Sequence, residues 1–449
     1  MSPTETLYLA RTQFGLNIGF HILFPVITMA LAWFLLYFRV RAWRSGDERA
    51  MDAFRRWTKI FALTFAMGVV SGIVMSFQFG TNWPGFMGKV GNIAGPLLAY
   101  EVLTAFFLEA TFLGVMLFGQ NRVPDAVHVA ATALVAFGTS MSAFWILSLN
   151  SWMQTPTGHA MVDGQLIAAD WLAVIFNPSF PYRLVHMMLA SGLTAAFFMA
   201  GLSAWRLLKD AGDATARFTL RSAVWVAAII APLQIFAGDL HGLNTLEFQP
   251  AKIAAIEGLW HTEQRAPLLL FALPNETTRR NDFAIAVPGV ASLILTHHLE
   301  GTVRGLDDFE PDRPAVMPLF FAFRVMVGVG LAMVAVAWLS LWSLRRRSCP
   351  PRFWLWVLSV FTFAGWIATI AGWLTTEMGR QPWLVTGVLR TNEALGTAVK
   401  APVLWSLPAY AVTYACLLVA YMVVITQLAG RGAAPPATSS QPVVTGVHA

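Results

Sequence analysis

Four side chains able to donate to iron, His21, His186, Met326 and Glu377, stand in or at the ends of long apolar stretches, as do two further carboxylates, Glu101 and Glu109. Ionisable groups are costly inside a membrane, so each is a functional hypothesis by default. Heme iron takes an axial histidine, and a His/Met pair makes a six-coordinate centre suited to electron transfer, whereas a centre with one protein ligand keeps a position open for dioxygen. A buried glutamate can supply an anionic oxygen ligand. Glu101 and Glu109 lie two turns apart, on broadly the same side of one helix, where they could pass protons. Each group also has a purely structural use. A lone intramembrane histidine serves equally well as a helix-packing hydrogen bond, Met326 as core filler, and the two carboxylates as partners of an arginine or a neighbouring helix. His128 reads as a cap or a snorkelling side chain near a helix end. His159, His261, His297 and His298 fall in loops.

The elements that would position these donors are membrane spans. Of the 449 residues 57% are hydrophobic and only 12% charged, about half the charge of a soluble domain, and the mean hydropathy is +0.60. A spanning helix needs about 20 apolar residues, and nine such stretches run near 15–38, 58–79, 95–118, 128–150, 181–205, 222–240, 317–343, 353–374 and 402–427. The expected fold is therefore an all-α polytopic bundle. The net charge of +6 comes from arginines between spans, which argues for topology and against nucleic acid. Arg39, Arg41, Arg44, Arg49, Arg55, Arg56 and Lys59 share one side with Arg122, with Arg206, Lys209, Arg217 and Arg221, and with Arg345, Arg346, Arg347 and Arg352. The positive-inside rule puts that side in the cytoplasm, the N-terminus outside and the C-terminus inside.

In that topology His21, His186, Met326 and Glu377 fall toward the outer face at one depth, on four helices, as bundle cofactor sites require. Residues 1–240 hold helices 1–6, 241–316 form an outer loop too long for a bare connection, 317–430 hold helices 7–9, and 431–449 read as a disordered cytoplasmic tail. Cys349 and Cys416 fit neither a disulfide framework nor a CxxCH attachment, so a heme would be held without covalent links.

At these residues the sequence resembles subunit I of the cytochrome bd-type quinol oxidases, over nearly its whole length. GWLTTEMGRQPW, 372–383, carries the strongest likeness: it implies Glu377 as axial ligand of a high-spin heme, with Trp373 and Arg380 among the hemes. RTQFGLNIGFHILFP, 11–25, implies His21 as ligand of the other high-spin heme. FPYRLVHM, 180–187, and FFAFRVMVG, 320–328, imply His186 and Met326 as the two ligands of a low-spin heme b, with Arg324 beside a propionate. YEVLTAFFLEATFLG and SMSAFWILSLNSWMQTP match family segments of the proton route and heme surroundings, with Glu101, Glu109, Ser142 and Asn150. GDLHG…EFQPAKIAAIEGLW, 238–260, matches the start of the quinol-binding loop, with Lys252 and Glu257 as quinol contacts. The segment between Glu257 and the next span is short, as in the branch that includes cyanide-insensitive oxidases, so beside low-spin and high-spin heme b the third heme is either heme d or another b-type heme.

The resemblance implies a bacterial inner-membrane enzyme that oxidises quinol at the outer face and reduces dioxygen to water with cytoplasmic protons, so charging the membrane. It implies a second membrane subunit as partner and leaves room for a small single-helix one. Two other classes are compatible with intramembrane His and Glu: an ion-coupled carrier, against which stands the lack of an inverted repeat or paired broken helices, and a heme-b quinone reductase subunit. A redox spectrum taken with and without CO separates all three.

Overall fold

In the computed structural model, which describes residues 2–396 and 399–430, the first span is two helices. α1 (Pro3–Ile22) opens on a capping box between Ser2 and Glu5, and α2 (Pro25–Ser45) starts on a proline. Pro25 has no N–H to return to the His21 carbonyl; the Phe24 N–H takes it instead, at 3.2 Å. The break seats against Gly68, where a Cβ would lie 3.6 Å from Phe24 and 3.7 Å from Pro25. Gly46, with φ +62°, ends α2 in the left-handed conformation glycine favours. α3 (Glu48–Thr81) returns. α4 (Pro84–Tyr100), a π turn (Glu101–Phe106) and α5 (Phe107–Phe118) together form the third span, and α6 (Asp125–Gln154) the fourth.

A hairpin, β1 (His159–Val162) and β2 (Gln165–Ala168), and the short α7 (Trp171–Ile175) lead to the closely packed pair α8 (Phe180–Lys209) and α9 (Ala214–Phe248). The expected sixth span, 222–240, is thus extended at both ends. The following segment is folded: α10 (Pro250–Glu257), β3 (Glu263–Gln264), the antiparallel pair β4 (Leu268–Asn275) and β5 (Arg280–Val287), α11 (Val290–Thr296), β6 (Thr302–Val303) on β3, and a 3-10 turn at Leu306–Phe309. α12 (Val316–Arg346) is the seventh span. α13 (Arg352–Val360) and α14 (Ala364–Met378), joined by a 3-10 turn, make the eighth. β7 (Trp383–Val385) and β8 (Leu389–Arg390) precede α15 (Lys400–Gly430), the ninth. Among the described residues nine helices are long and apolar enough to cross a membrane. The expected tail at 431–449 lies outside the described residues.

Small residues let the helices approach, as packing without a hydrophobic drive requires. A Cβ on Gly201 of α8 would stand 2.8 Å from the Cα of Thr362, and one on Gly365 of α14 would stand 2.6 Å from the Cα of Thr194. The two glycines form a reciprocal pair of notches that locks α8 to the eighth span.

His128 departs from its expected role as a cap or snorkelling side chain, and Arg39, expected in the loop between spans, lies inside α2. Each is only 1% exposed. Arg39 Nε donates to His128 Nδ1 at 3.0 Å, the guanidinium also pairs with Asp125, and the imidazole stands edge-on to Phe54. A cation on α2 is thereby anchored to the start of α6, because burying it unpaired would cost far more than leaving it in water.

Gly201→Val is expected to overpack the α8 crossing and lower stability by about 1–3 kcal/mol, read as a lower thermal midpoint of the purified protein. Gly114→Ala, with nothing within 4 Å of the new carbon, should leave it unchanged.

Candidate functional site

Glu377 is the second-last residue of α14 and accepts from Asn150 Nδ2 at 2.9 Å while pairing with Arg380. Arg380 is buried, yet its Nε and Nη1 have no partner among the described residues, and neither does Nε of the buried Arg183 on α8. Lys252 on α10 completes the group. Its Nζ donates to Gln154 Oε1 at 2.8 Å and to Gln249 Oε1 at 2.6 Å. Its stem lies over Gly379, where a Cβ would come within 2.6 Å of Lys252 Cγ. Burial holds this ammonium well below the usual lysine range; Arg183 and Arg380 add to the effect and Glu377 opposes it. Three buried basic side chains therefore surround one carboxylate.

His186 on α8 has Gln234 Nε2 at 3.2 Å from its Nε2. It also faces His241 of α9, with ring centroids 5.5 Å apart and planes at 60°. Nε2 of His241 is buried without a partner. Sequence reasoning passed over His241 and Arg183. Both lie inside quoted motifs, and the signal that could have found them is the one applied elsewhere, an ionisable side chain within an apolar span.

The three softer donors share one feature: each stands against a glycine of a neighbouring helix. A Cβ on Gly238 would lie 3.4 Å from His186 Cε1, one on Gly72 would lie 3.1 Å from His21 Cε1, and one on Gly372 would lie 2.8 Å from Met326 Sδ. His21 Nδ1 is 3.0 Å from Ser71 Oγ, and Trp373 reaches α1 beside Gly15.

One expectation changes. The four donors lie toward the same end of the bundle but not at one depth. Gly372 stands against Met326 and Trp373 beside Gly15, so Met326 lies level with a residue five positions inward of Glu377, and His21 six positions inward of Gly15. At 1.5 Å per residue this is a staircase of roughly 15 Å. Lys252 and Glu257, both on α10, have different partners within the chain. Lys252 turns into the Glu377 group, while the buried Glu257 has Arg324 Nη2 3.8 Å from its Oε2. Burial raises the Glu257 carboxyl above the usual carboxylate range and Arg324 pulls it back. Arg324, expected beside a propionate, donates to the carbonyls of Leu269 at 2.8 Å, Ile256 at 2.7 Å and Phe320 at 3.1 Å, so it ties α10 and β4 to α12.

The carboxylates of the third span both face α6. Ser142 Oγ donates to Glu101 at 2.7 Å. Glu109 is buried, its Oε1 has no partner, and its Cγ fills the notch at Gly138. In a regular helix positions eight apart drift by roughly 80°. The wider π turn takes up that difference and puts both on one face.

This donor set fits heme. Among the described residues no three His, Cys, Asp or Glu side chains gather as a protein-only metal site would need, whereas a macrocycle supplies four iron ligands and asks the protein for one or two. The partnerless guanidinium nitrogens suit anionic carboxylates such as propionates.

Fold and site together define a polytopic α-helical membrane protein with singly placed side chains able to donate to iron, stepping inward from one face. Across residues 9–433 the chain matches the cytochrome bd terminal oxidase subunit I family, and it belongs to that family. It is 32% identical to cytochrome bd-II ubiquinol oxidase subunit 1 of Escherichia coli (strain K12), over 97% of this chain and 98% of that one. It is 33% identical to cytochrome bd ubiquinol oxidase subunit 1 of Bacillus subtilis (strain 168), over 92% and 91%. The solved bd oxidase of Geobacillus thermodenitrificans superposes with a TM-score of 0.89 at 30% identity, covering 95% of this chain and 99% of the other. Membership and the nine apolar spans make the chain a multi-pass protein of the bacterial membrane.

Glu377→Leu would leave two buried guanidinium groups and Lys252 without their carboxylate and is expected to cost about 3–5 kcal/mol. Lys252→Met, which reduces the excess of positive charge, should cost less. The thermal midpoints of the two purified variants give the order.

Proposed function

We propose that this subunit of a respiratory terminal oxidase, a quinol:oxygen oxidoreductase, takes electrons from quinol at the donor-bearing outer face and draws protons for water formation from the cytoplasm. The observation that carries the reading is the staircase of single donors, each set against a helix glycine or, at Glu377, among buried cations. His186 and Met326 would hold low-spin heme b, and His21 and Glu377 one high-spin heme each, one of them heme b and the other heme d or a further b-type heme. When bound, the hemes supply electron transfer and the dioxygen chemistry.

The chain's own residues do the rest. Glu257, its carboxyl raised by burial, accepts a quinol proton, and the Lys252 ammonium offers a hydrogen bond to a quinone oxygen. Arg324 compensates the charge Glu257 gains on losing a proton, 3.8 Å away. Arg183 and Arg380 hold anionic carboxylates at the Glu377 end. On the cytoplasmic side of the donors, Glu109 and then Glu101 with Ser142 hold protons along α6, at the one stretch of the third span where both carboxylates face the same helix. Arginines at the opposite end support a cytoplasmic assignment for it. The second oxidase subunit, and any small single-helix one, would pack on the apolar flanks of the bundle.

The reading is tested by reduced-minus-oxidised spectra with and without CO: an oxidase subunit shows a low-spin species and a CO-reactive one. Met326→Leu keeps apolar volume and removes the sulfur, so the low-spin band should be lost while the CO-reactive species remains. An unchanged low-spin band sinks that ligand assignment.

The raised Glu257 carboxyl also gives a signed pH dependence. Its proton-accepting form is present above its pKa and lost as pH falls, so quinol oxidation should decline on the acid side at a pH above the ordinary carboxylate range. Glu257→Gln should be slow throughout and lack that limb, with its heme spectrum intact.

A further inference from the structure

The β4–β5 hairpin carries apolar side chains on both faces. Leu269 and Ala272 are buried toward α12, as expected of a packed hairpin. The rest of the hairpin is also apolar and open: Phe283 is 80% exposed, Ile285 59%, Leu270 57% and Phe271 42%. The patch continues onto α11 through the exposed Leu293 and Ile294, joined to the hairpin base where Ser292 Oγ receives the Ala266 N–H at 2.8 Å. An exposed apolar patch of this kind marks a lipid or partner surface.

The position of the hairpin decides what covers it. Arg324 donates to the Leu269 carbonyl at 2.8 Å, and Phe271 packs on Phe321 with centroids 6.0 Å apart. Arg324 is eight residues past the start of α12, so β4 lies about 12 Å down the helix. α12 has 31 residues and is about 46 Å long against a hydrocarbon core of ~30 Å, so about 8 Å of it projects beyond each boundary. With α12 centred in the core, the Leu269 contact falls about 4 Å inside that boundary, so the hairpin straddles it, on a helix whose Val325 and Leu331 are also exposed. The charged tip is pinned the other way: Arg313 holds Glu276 at 2.6 Å and Arg279 holds Asp307 at 2.9 Å. A sheet edge cannot enter the hydrocarbon itself, but the interface accepts one.

We propose that the β4–β5 hairpin is seated in the outer lipid leaflet through Leu270, Phe271, Phe283 and Ile285, and that this apolar ledge is the portal along which the isoprenoid tail of quinol reaches α10. The lipid seat stands on the geometry alone; the portal rests on the quinol reading above. α10 follows directly on α9, and its last turn is tied through the Ile256 carbonyl to the same Arg324 that holds β4. The ledge and the segment carrying Glu257 are thus one rigid piece.

The test uses the complete oxidase in phospholipid vesicles, with Cys349→Ser and Cys416→Ser and a single nitroxide placed through Ile285→Cys. Its relaxation is read against dissolved oxygen and a water-soluble nickel chelate. The expected result is strong oxygen and weak nickel accessibility, as for a label at Leu331→Cys and opposite to one at Thr278→Cys on the hairpin tip. A tip-like response at residue 285 overturns the seat.

The second arm compares quinols with long and with short tails in a Phe283→Asp/Ile285→Asp variant. The KM for the long-tailed quinol should rise several-fold with kcat unchanged, while the short-tailed quinol is unaffected. Equal KM values for variant and parent overturn the portal. If instead Glu257→Gln oxidises quinol at the full rate, the quinol reading fails, and the nitroxide result, which needs no substrate, still decides the seat.

Discussion

A carboxylate at the end of a transmembrane helix has few ways to stay charged. Glu377 is compensated because three remote pieces of chain converge on it, Asn150 from α6, Arg183 from α8 and Lys252 from α10, beside Arg380 three residues on. Charges removed from water must be compensated at close range or they neutralise. Much of the outer end of the molecule follows from this requirement. α10 has to press its lysine down onto the loop after α14, and only a residue without a side chain at 379 leaves space for it. The two glutamines at 154 and 249 complete the lysine's hydrogen bonds and join the end of α6 to the end of α9. The group remains richer in cation than in anion, which is the electrostatic preparation an acidic macrocycle needs.

The same logic, on a smaller scale, explains how other polar groups stay buried. Arg39 finds Asp125 and His128, Arg324 finds three carbonyls and Glu257, and Thr64 finds Tyr421 at 3.0 Å. Each tie joins elements distant in sequence, so it specifies which helices are neighbours where apolar contact alone would tolerate several arrangements. Glycines set the distance of approach. Where a donor must face a neighbouring helix, at 72, 238 and 372, the opposing position has no side chain. Rigid helices thus present the donors while leaving their imidazole or sulfur atoms close to backbone, the kind of support a functional site requires.

The π turn in the third span shows local geometry serving the same end. Its wider backbone is a departure from regular helix that such proteins place at functional sites. Here it turns Glu109 toward Gly138 while Glu101 keeps its bond to Ser142. The first span makes the complementary adjustment through Pro25, ending α1 just past His21 so that the imidazole meets Ser71 on α3.

Hydropathy by itself determined that the chain forms nine spans, which face bears the arginines, and that His21, His186, Met326 and Glu377 lie toward the opposite face, because a bilayer demands long apolar runs and interrupts them only for cause. The motif likeness named the family that the whole-chain match then showed. Depth along the membrane was not legible. It depends on where helices end, and α1, α3 and α9 all run on past the apolar runs that reveal them because polar residues can continue a helix into water. Partnership was not legible either. That Lys252 belongs with Glu377, Glu257 with Arg324, His241 with His186 and His128 with Arg39 follows from charge compensation, ring contact and hydrogen bonding between residues dozens to more than a hundred positions apart. Only the packed bundle brings such residues within a few ångströms of one another, so only the tertiary structure could decide it.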